Sequence, residues 1–250
     1  VHIGGSFFIC NRFDVEETYE LIRGKRANVL SGVPTMFNMI ANHSLWEETS
    51  FDHFKLIISG GAPVPQALYE RYWEKGVGFK SGYGLTEAGP NNVWLPEKLV
   101  KKKPGSVGYP MMLNEMRLVD ESGNEMTKPN TPGMIEIRGP HRTPGYINNP
   151  DATAEAITAD GWLRTGDIGY KDEDDCWYVV GRSNDCYISG GENIYPAEIE
   201  SIVSTYFAIN EAMLIGVEDE KWGEIGKLVV SLRENQEFLE QDFLDWLRLS

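Results

Sequence analysis

The stretch Val77-Gly78-Phe79-Lys80-Ser81-Gly82-Tyr83-Gly84-Leu85-Thr86-Glu87 joins a short apolar strand to a turn spaced by glycines. Glycine lets backbone pass close to a ligand, Tyr83 offers a flat face for stacking, Thr86 a hydroxyl for phosphate and Glu87 a carboxylate for magnesium. Alone, such a segment is more often an ordinary turn with a stray acid. Upstream, the spacing predicts a buried strand over 3–10, a helix over 14–22 with acids in its first turn and a strand over 29–31. A helix over 34–41 with proline in its first turn follows, then a strand over 54–59 and a helix over 64–75 that leads into the strand at 77–80. Strands alternating with helices predict a largely parallel sheet and an α/β fold.

Downstream the texture changes. After Pro104, short strands over 115–120, 133–138 and 177–180 are separated by turn-rich segments such as Glu121-Ser122-Gly123-Asn124, which predicts a β-rich subdomain. Beyond Gly181 the α/β pattern returns, with a helix over 196–205, strands over 212–217 and 227–232, and a helix from Gln241 onward. The expected units are 1–103, part of an α/β subdomain, 104–182, the β-rich subdomain, and 183–250, a small α+β unit, with the boundary between the last two near 182–185.

The 250 residues are 41% hydrophobic and 24% charged, with a formal net charge of −15. So acidic a chain lacks the cationic face that a nucleic-acid backbone demands, and no apolar run approaches the roughly 18 residues of a membrane span. The short basic run 101–103 reads as a solvated loop. Cys10, Cys176 and Cys186 show no CxxC spacing, so a reducing, cytoplasmic setting fits best, and the sequon at Asn42 carries little weight without a visible signal peptide. An acidic chain can still bind phosphorylated small molecules through glycine-rich backbone and magnesium.

Three further segments keep company with 77–87. Ser59-Gly60-Gly61-Ala62-Pro63 closes a strand and leaves backbone groups free for a purine edge. Gly161-Trp162-Leu163-Arg164-Thr165-Gly166-Asp167 sets an acid beside a glycine, suited to two ribose hydroxyls or simply to a turn. Gly181-Arg182 places a cation ahead of the glycine-rich string running from Ser189 to Glu200, which is long for simple loop filling.

In this order and spacing the four segments resemble the adenylate-forming superfamily, which includes acyl-CoA and aryl-CoA synthetases, firefly-type luciferases and the adenylation domains of peptide synthetases. The wording Gly191-Glu192-Asn193-Ile194-Tyr195-Pro196 is most similar to the CoA ligases. The resemblance implies that Gly60, Gly61, Ala62 and Pro63 line adenine with Tyr83 and Gly84. It implies that Thr86 touches the α-phosphate, Glu87 holds Mg2+, and Asp167 with Arg182 binds ribose. It places His2, Val33, Phe37 and Gly82 around the acyl pocket, Gly190 and Gly191 along the pantetheine tunnel of coenzyme A, and the hinge of the C-terminal lid at Asn184. Asn184 departs from the usual aspartate or lysine there, and Cys186 and Tyr187 replace residues that are usually apolar.

The implied activity is ATP-dependent ligation of a carboxylic acid to coenzyme A through an acyl-adenylate, with the acid, ATP and CoA as partners and the oligomeric state unread. Two expected parts, the phosphate-gripping loop and the lid lysine, do not occur within 1–250, so these residues are expected to be an internal piece without turnover. Two other readings stay open: loading of a carrier-protein thiol, and an AMP-binding module without catalysis. Val33, Met36, Phe37 and Met39 suit a fatty or aromatic acid, although at helical spacing they equally suit plain core.

Overall fold

Asp14 opens the first regular element: its carboxylate accepts from the Glu17 amide at 3.0 Å and caps α1 (Val15–Arg23), whose first turn carries Glu16 and Glu17. The structure, a computed structural model, describes residues 4–233 and 236–249. After α1 come β1 (Val29–Gly32), α2 (Pro34–Ala41), β2 (Leu56–Ser59), α3 (Gln66–Glu74) and β3 (Phe79–Ser81). The three strands pair in parallel in the order β1-β2-β3, and the glycine turns 59–63 and 81–87 both leave the carboxyl edge of this sheet.

Its core is aromatic. Phe37 meets the edge of Tyr72 at 5.9 Å and lies 5.0 Å from Phe79, while Tyr19 and Tyr72 send their hydroxyls to the Ile40 and Phe37 carbonyls at 2.7 and 2.9 Å. Phe37 is 1% exposed. Its truncation to alanine is expected to destabilise the domain by about 3–5 kcal/mol, read by denaturant unfolding, without a change in ligand preference.

The buried strand expected over 3–10 does not form within the described residues. Residues 4–10 pair with no strand, and Phe7, Phe8 and Ile9 are largely exposed. An apolar run becomes a strand only where a neighbouring backbone takes up its amides and carbonyls, and the β1-β2-β3 sheet gives this segment none.

The second sheet is antiparallel and begins earlier than the change of texture at Pro104. Its elements are β4 (Val93–Trp94), α4 (Glu97–Val100), β5 (Ser106–Pro110), β6 (Glu115–Val119), β7 (Glu125–Met126), β8 (Gly133–Arg138), α5 (Pro150–Ala156), β9 (Leu163–Lys171) and β10 (Trp177–Arg182). The strand order is β4-β5-β10-β9-β8-β6-β7. The segment 161–167, for which a turn is one of two readings, is mostly strand: Leu163, Thr165 and Asp167 point inward and alternate with exposed Arg164 and Gly166. Trp162 is gripped between the guanidiniums of Arg117 and Arg138 at 4.3 and 4.4 Å, and Arg117 pairs with buried Glu136 at 2.7 Å.

Between β9 and β10 the ladder runs Val179 to Gly169, then Gly181 to Ile168 and Arg182 to Asp167. Val180 is therefore a bulge residue, and it brings Arg182 opposite Asp167.

The third sheet contains β11 (Tyr187–Ser189), β12 (Glu192–Ile194), β13 (Ile209–Asp219) and β14 (Gly223–Leu232) in the antiparallel order β12-β11-β14-β13. It is flanked by α6 (Pro196–Val203) and α7 (Glu240–Leu247), with Val203, Tyr206, Ile209 and Phe243 at its core. Part of the string expected as a loop from Ser189 is thus a hairpin turning at Gly190-Gly191. Tyr187 has a physical role here: it is buried against the cross-strand pair Gly216 and Gly226, where any Cβ would collide with its side chain. No helix among the described residues is long and apolar enough to cross a membrane.

Candidate functional site

The turn after β3 and the turn after β2 are stitched together, the Gly82 amide donating to the Ser59 carbonyl at 2.8 Å. Gly61, at φ +84°, occupies the left-handed region that glycine adopts freely. From this edge Tyr83 points across to the antiparallel sheet, where its hydroxyl donates to Asp167 Oδ2 at 2.6 Å. On the other side Arg182 Nε lies 3.1 Å from Asp167 Oδ1, and its Nη1 donates to the Thr165 carbonyl at 3.0 Å. Thr165 completes the clasp, its hydroxyl donating to the Ile135 carbonyl and accepting from the Asp167 amide.

Asp167 is 7% exposed. Burial pushes its carboxyl above the usual aspartate range, opposed by the hydrogen bond from Tyr83 and the charge of Arg182. Burial, together with the adjacent Asp167 charge, raises the Tyr83 phenol well above its ordinary value. The raised phenol keeps Tyr83 the donor of this hydrogen bond and Asp167 Oδ2 its acceptor.

These residues line a cleft of about 890 Å³, within the roughly 300–1,000 Å³ of small-molecule sites. Gly61, Ala62, Pro63, Gly82, Tyr83, Gly84, Asp167, Arg182 and Asn184 face it, together with the start of α6 and Met213 to Gly216 of β13. Of the residues singled out in the sequence, nine thus meet at one cleft, at the strand ends where open α/β sheets bind ligands.

The others lie elsewhere. Gly60 spends its amide on the Gly32 carbonyl at 3.1 Å, Phe37 is in the aromatic core, and Val33 sits beside Gly61, its Cγ1 3.7 Å from where a Cβ would be. Gly190 and Gly191 take left-handed angles in the β11–β12 turn, where Gly190 packs under the Trp222 ring and its amide donates to the Trp222 carbonyl. His2 lies outside the described residues. Asn184 has no left-handed backbone angle.

Thr86 is exposed and Glu87 partly exposed on the loop 83–92, beyond the cleft wall. That loop is pinned by Asn92, which is fully buried: its amide donates to the Tyr83 carbonyl at 2.8 Å, its side-chain amide to the Gly89 carbonyl at 3.1 Å, and its Oδ1 hydrogen-bonds His141 Nε2 at 2.9 Å. The charge of Glu87 is felt at Asp167, where it favours the protonated acid. No cluster of three or more metal-ligating side chains occurs among the described residues, so a magnesium ion at Glu87 would complete its shell from phosphate oxygens and water, as magnesium commonly does. Sequence reasoning passed over Thr165, Asn92 and Tyr146, whose hydroxyl donates to Glu87 Oε1 at 2.9 Å. For Thr165 the inward alternation of 163–167 was a usable signal; for the other two no local pattern exists.

The family model for the AMP-binding enzyme matches residues 1–147, and that for its C-terminal domain matches 198–249. The chain belongs to the AMP-binding enzyme family. It is 39% identical to a feruloyl-CoA synthase from Amycolatopsis sp over 245 residues, 98% of this chain and 50% of that protein. It is 40% identical to a 2-succinylbenzoate–CoA ligase from Geobacillus sp. (strain WCH70) over 223 residues, 89% of this chain and 44% of the relative. Among solved structures, the o-succinylbenzoate CoA synthetase from Bacillus subtilis, in complex with the acyl-adenylate intermediate OSB-AMP, superposes with a TM-score of 0.83 at 34% identity. That match covers 95% of this chain and 48% of the synthetase. The chain spans about half the length of the relatives it matches. As an AMP-binding enzyme it has the expected α/β architecture, a parallel sheet beside antiparallel ones.

Proposed function

We propose that the whole protein is an ATP-dependent acid:CoA ligase acting on an aromatic carboxylic acid. The observation that carries the reading is the clasp of Tyr83, Asp167 and Arg182 at the rim of one cleft. Relatives described as feruloyl-CoA synthase and 2-succinylbenzoate–CoA ligase support both the thiol acceptor and the aromatic class.

In this reading Asp167 receives the two ribose hydroxyls. Its Oδ2 accepts the Tyr83 hydrogen bond and its Oδ1 lies in the ion pair with Arg182, and each keeps lone-pair capacity for a further donor. Gly61 to Pro63 and Gly84 present backbone to adenine and Tyr83 its ring. Thr86 donates to the α-phosphate, and Val33 and Gly82 border the acyl group. The acid's carboxylate attacks the α-phosphorus and pyrophosphate leaves; the CoA thiolate then attacks the acyl carbonyl and AMP departs. Glu87 would hold magnesium, which when bound would neutralise phosphate charge. Asn184 is the pivot for the part of the chain that follows it.

Acid-dependent ATP–pyrophosphate exchange by the complete protein, over a panel of aromatic and fatty acids, tests this. Exchange with aromatic acids and CoA-dependent release of AMP are expected; no exchange with any acid would overturn the ligase reading, and exchange with fatty acids alone would overturn the aromatic one. Residues 1–250 expressed alone are expected to give no detectable exchange, because the phosphate-gripping loop and the lid lysine are both absent from them, each such charge-stabilising group is worth about 3–4 kcal/mol in the transition state and positioning roughly 7–11 kcal/mol more.

A further inference from the structure

Glu87 is met by a loop from a distant part of the chain. The Thr143 amide donates to the Glu87 carbonyl at 2.6 Å, and the Tyr146 hydroxyl to Glu87 Oε1 at 2.9 Å. That loop is braced in turn: the Tyr146 amide donates to Thr153 Oγ1 at 2.9 Å, and Thr153 Oγ1 donates to the Asn149 carbonyl at 2.8 Å, at the capped start of α5. Gly145 runs so close to Thr153 that a Cβ would overlap its side chain, so the loop is closed down onto α5.

Among the described residues, no Lys, Arg or His forms an ion pair with Glu87, and no hydrogen bond reaches its Oε2. Buried Glu136, by contrast, is matched by the cation of Arg117. Glu87 instead has one oxygen held by a neutral phenol and the other open. A neutral donor fixes a carboxylate's orientation without cancelling its charge, whereas arginine or lysine in the same place would compete with a metal ion.

We propose that Tyr146 is a positioning residue that sets the Glu87 carboxylate to receive the divalent cation of a bound nucleoside triphosphate. The proposal deepens the reading of Glu87 given above and rests on it. Tyr146 touches neither substrate nor cation; it acts through Glu87, as outer-shell partners of metal ligands do, whose removal typically weakens metal binding about 10- to 100-fold. The effect of losing one partly exposed phenol belongs at the lower end of that range.

The test uses the complete protein with ATP and no acid, so that nothing turns over, and manganese as the probe, its retention followed by electron paramagnetic resonance. Tyr146→Phe is expected to weaken Mn2+ retention about tenfold, with the affinity for metal-free ATP unchanged, and Glu87→Gln to weaken it further. Unchanged retention in Tyr146→Phe beside a loss in Glu87→Gln would overturn the role of Tyr146 and leave that of Glu87 standing. A parallel loss of metal-free ATP affinity in Tyr146→Phe would also overturn it, since the residue would then be bracing the cleft as a whole. Unchanged retention in Glu87→Gln would remove the cation reading itself.

Discussion

Asp167→Asn in the complete protein is expected to weaken ATP and AMP binding about 100-fold while leaving the unfolding midpoint nearly unchanged. The magnitude follows from replacing an anion by an amide at a site proposed to hold two ribose hydroxyls. Hydrogen bonds to charged groups are each worth about 1.5–3 kcal/mol, and asparagine keeps one acceptor, so about 2–3 kcal/mol is lost overall. Stability should change little because two effects oppose one another. The buried carboxylate is a strained charge, as its upward-shifted pKa indicates, and removing it relieves desolvation. Against this, Arg182 loses an ion pair, but its side chain is 56% exposed and returns to water. Calorimetric titration with AMP and a thermal melt read the two quantities separately. Unchanged AMP affinity would dissociate Asp167 from the ribose.

Gly84→Ala is expected to damage activity by moving backbone rather than by removing a contact to ligand. A Cβ at this position would overlap the Gly89 carbonyl and the Pro90 backbone, so relief requires the main chain itself to move. The segment that would shift carries Thr86 and Glu87, and displacement of reacting groups by about 1 Å can lower kcat/KM about 100-fold. Overpacking of this kind costs about 1–3 kcal/mol of stability. Gly89→Ala is the control. Gly89 is left-handed at φ +76°, yet a Cβ there meets nothing within 4 Å, so only the conformational cost of about 1–2 kcal/mol applies. If the two variants lose kcat/KM equally, the close approach of backbone at Gly84 is not what holds the loop.

The local features of this fold were readable because they are written in short-range chemistry. Proline at the head of α2, the acidic first turn of α1 and the alternation of strand and helix over 29–81 each depend on neighbours a few residues away. The meeting of Tyr83 with Asp167, 84 residues later, was accessible only through the resemblance of whole motifs. Where a local pattern existed but was overlooked, as in 163–167, two glycines in a nine-residue strand gave it the look of a turn. Where none existed, reading failed for a physical reason. Residues 3–10 are apolar enough for a strand, but strand formation is a property of two backbones and not of one sequence. Tyr146 reaches Glu87 across 59 residues, and nothing in the text around either one announces the other. Phe37 illustrates the opposite difficulty: an apolar helix face fits a pocket wall and a core equally well, and only packing against Tyr72 and Phe79 separates them.

The surplus residue Val180 carries a consequence for how such a cleft can vary. Side chains on facing strands share a side only when they are matched across the ladder, and sliding one strand by a single step reverses which side each presents. Were Val180 drawn into the ladder opposite Ile168 with no bulge, Gly181 would stand opposite Asp167, and the Arg182 guanidinium, one residue further on, would swing to the far surface of the sheet. The electrostatic partner of the acid is thus set by the bulged register as much as by residue identity, and smoothing out the bulge would be felt as the loss of a charge although every charged residue were still present.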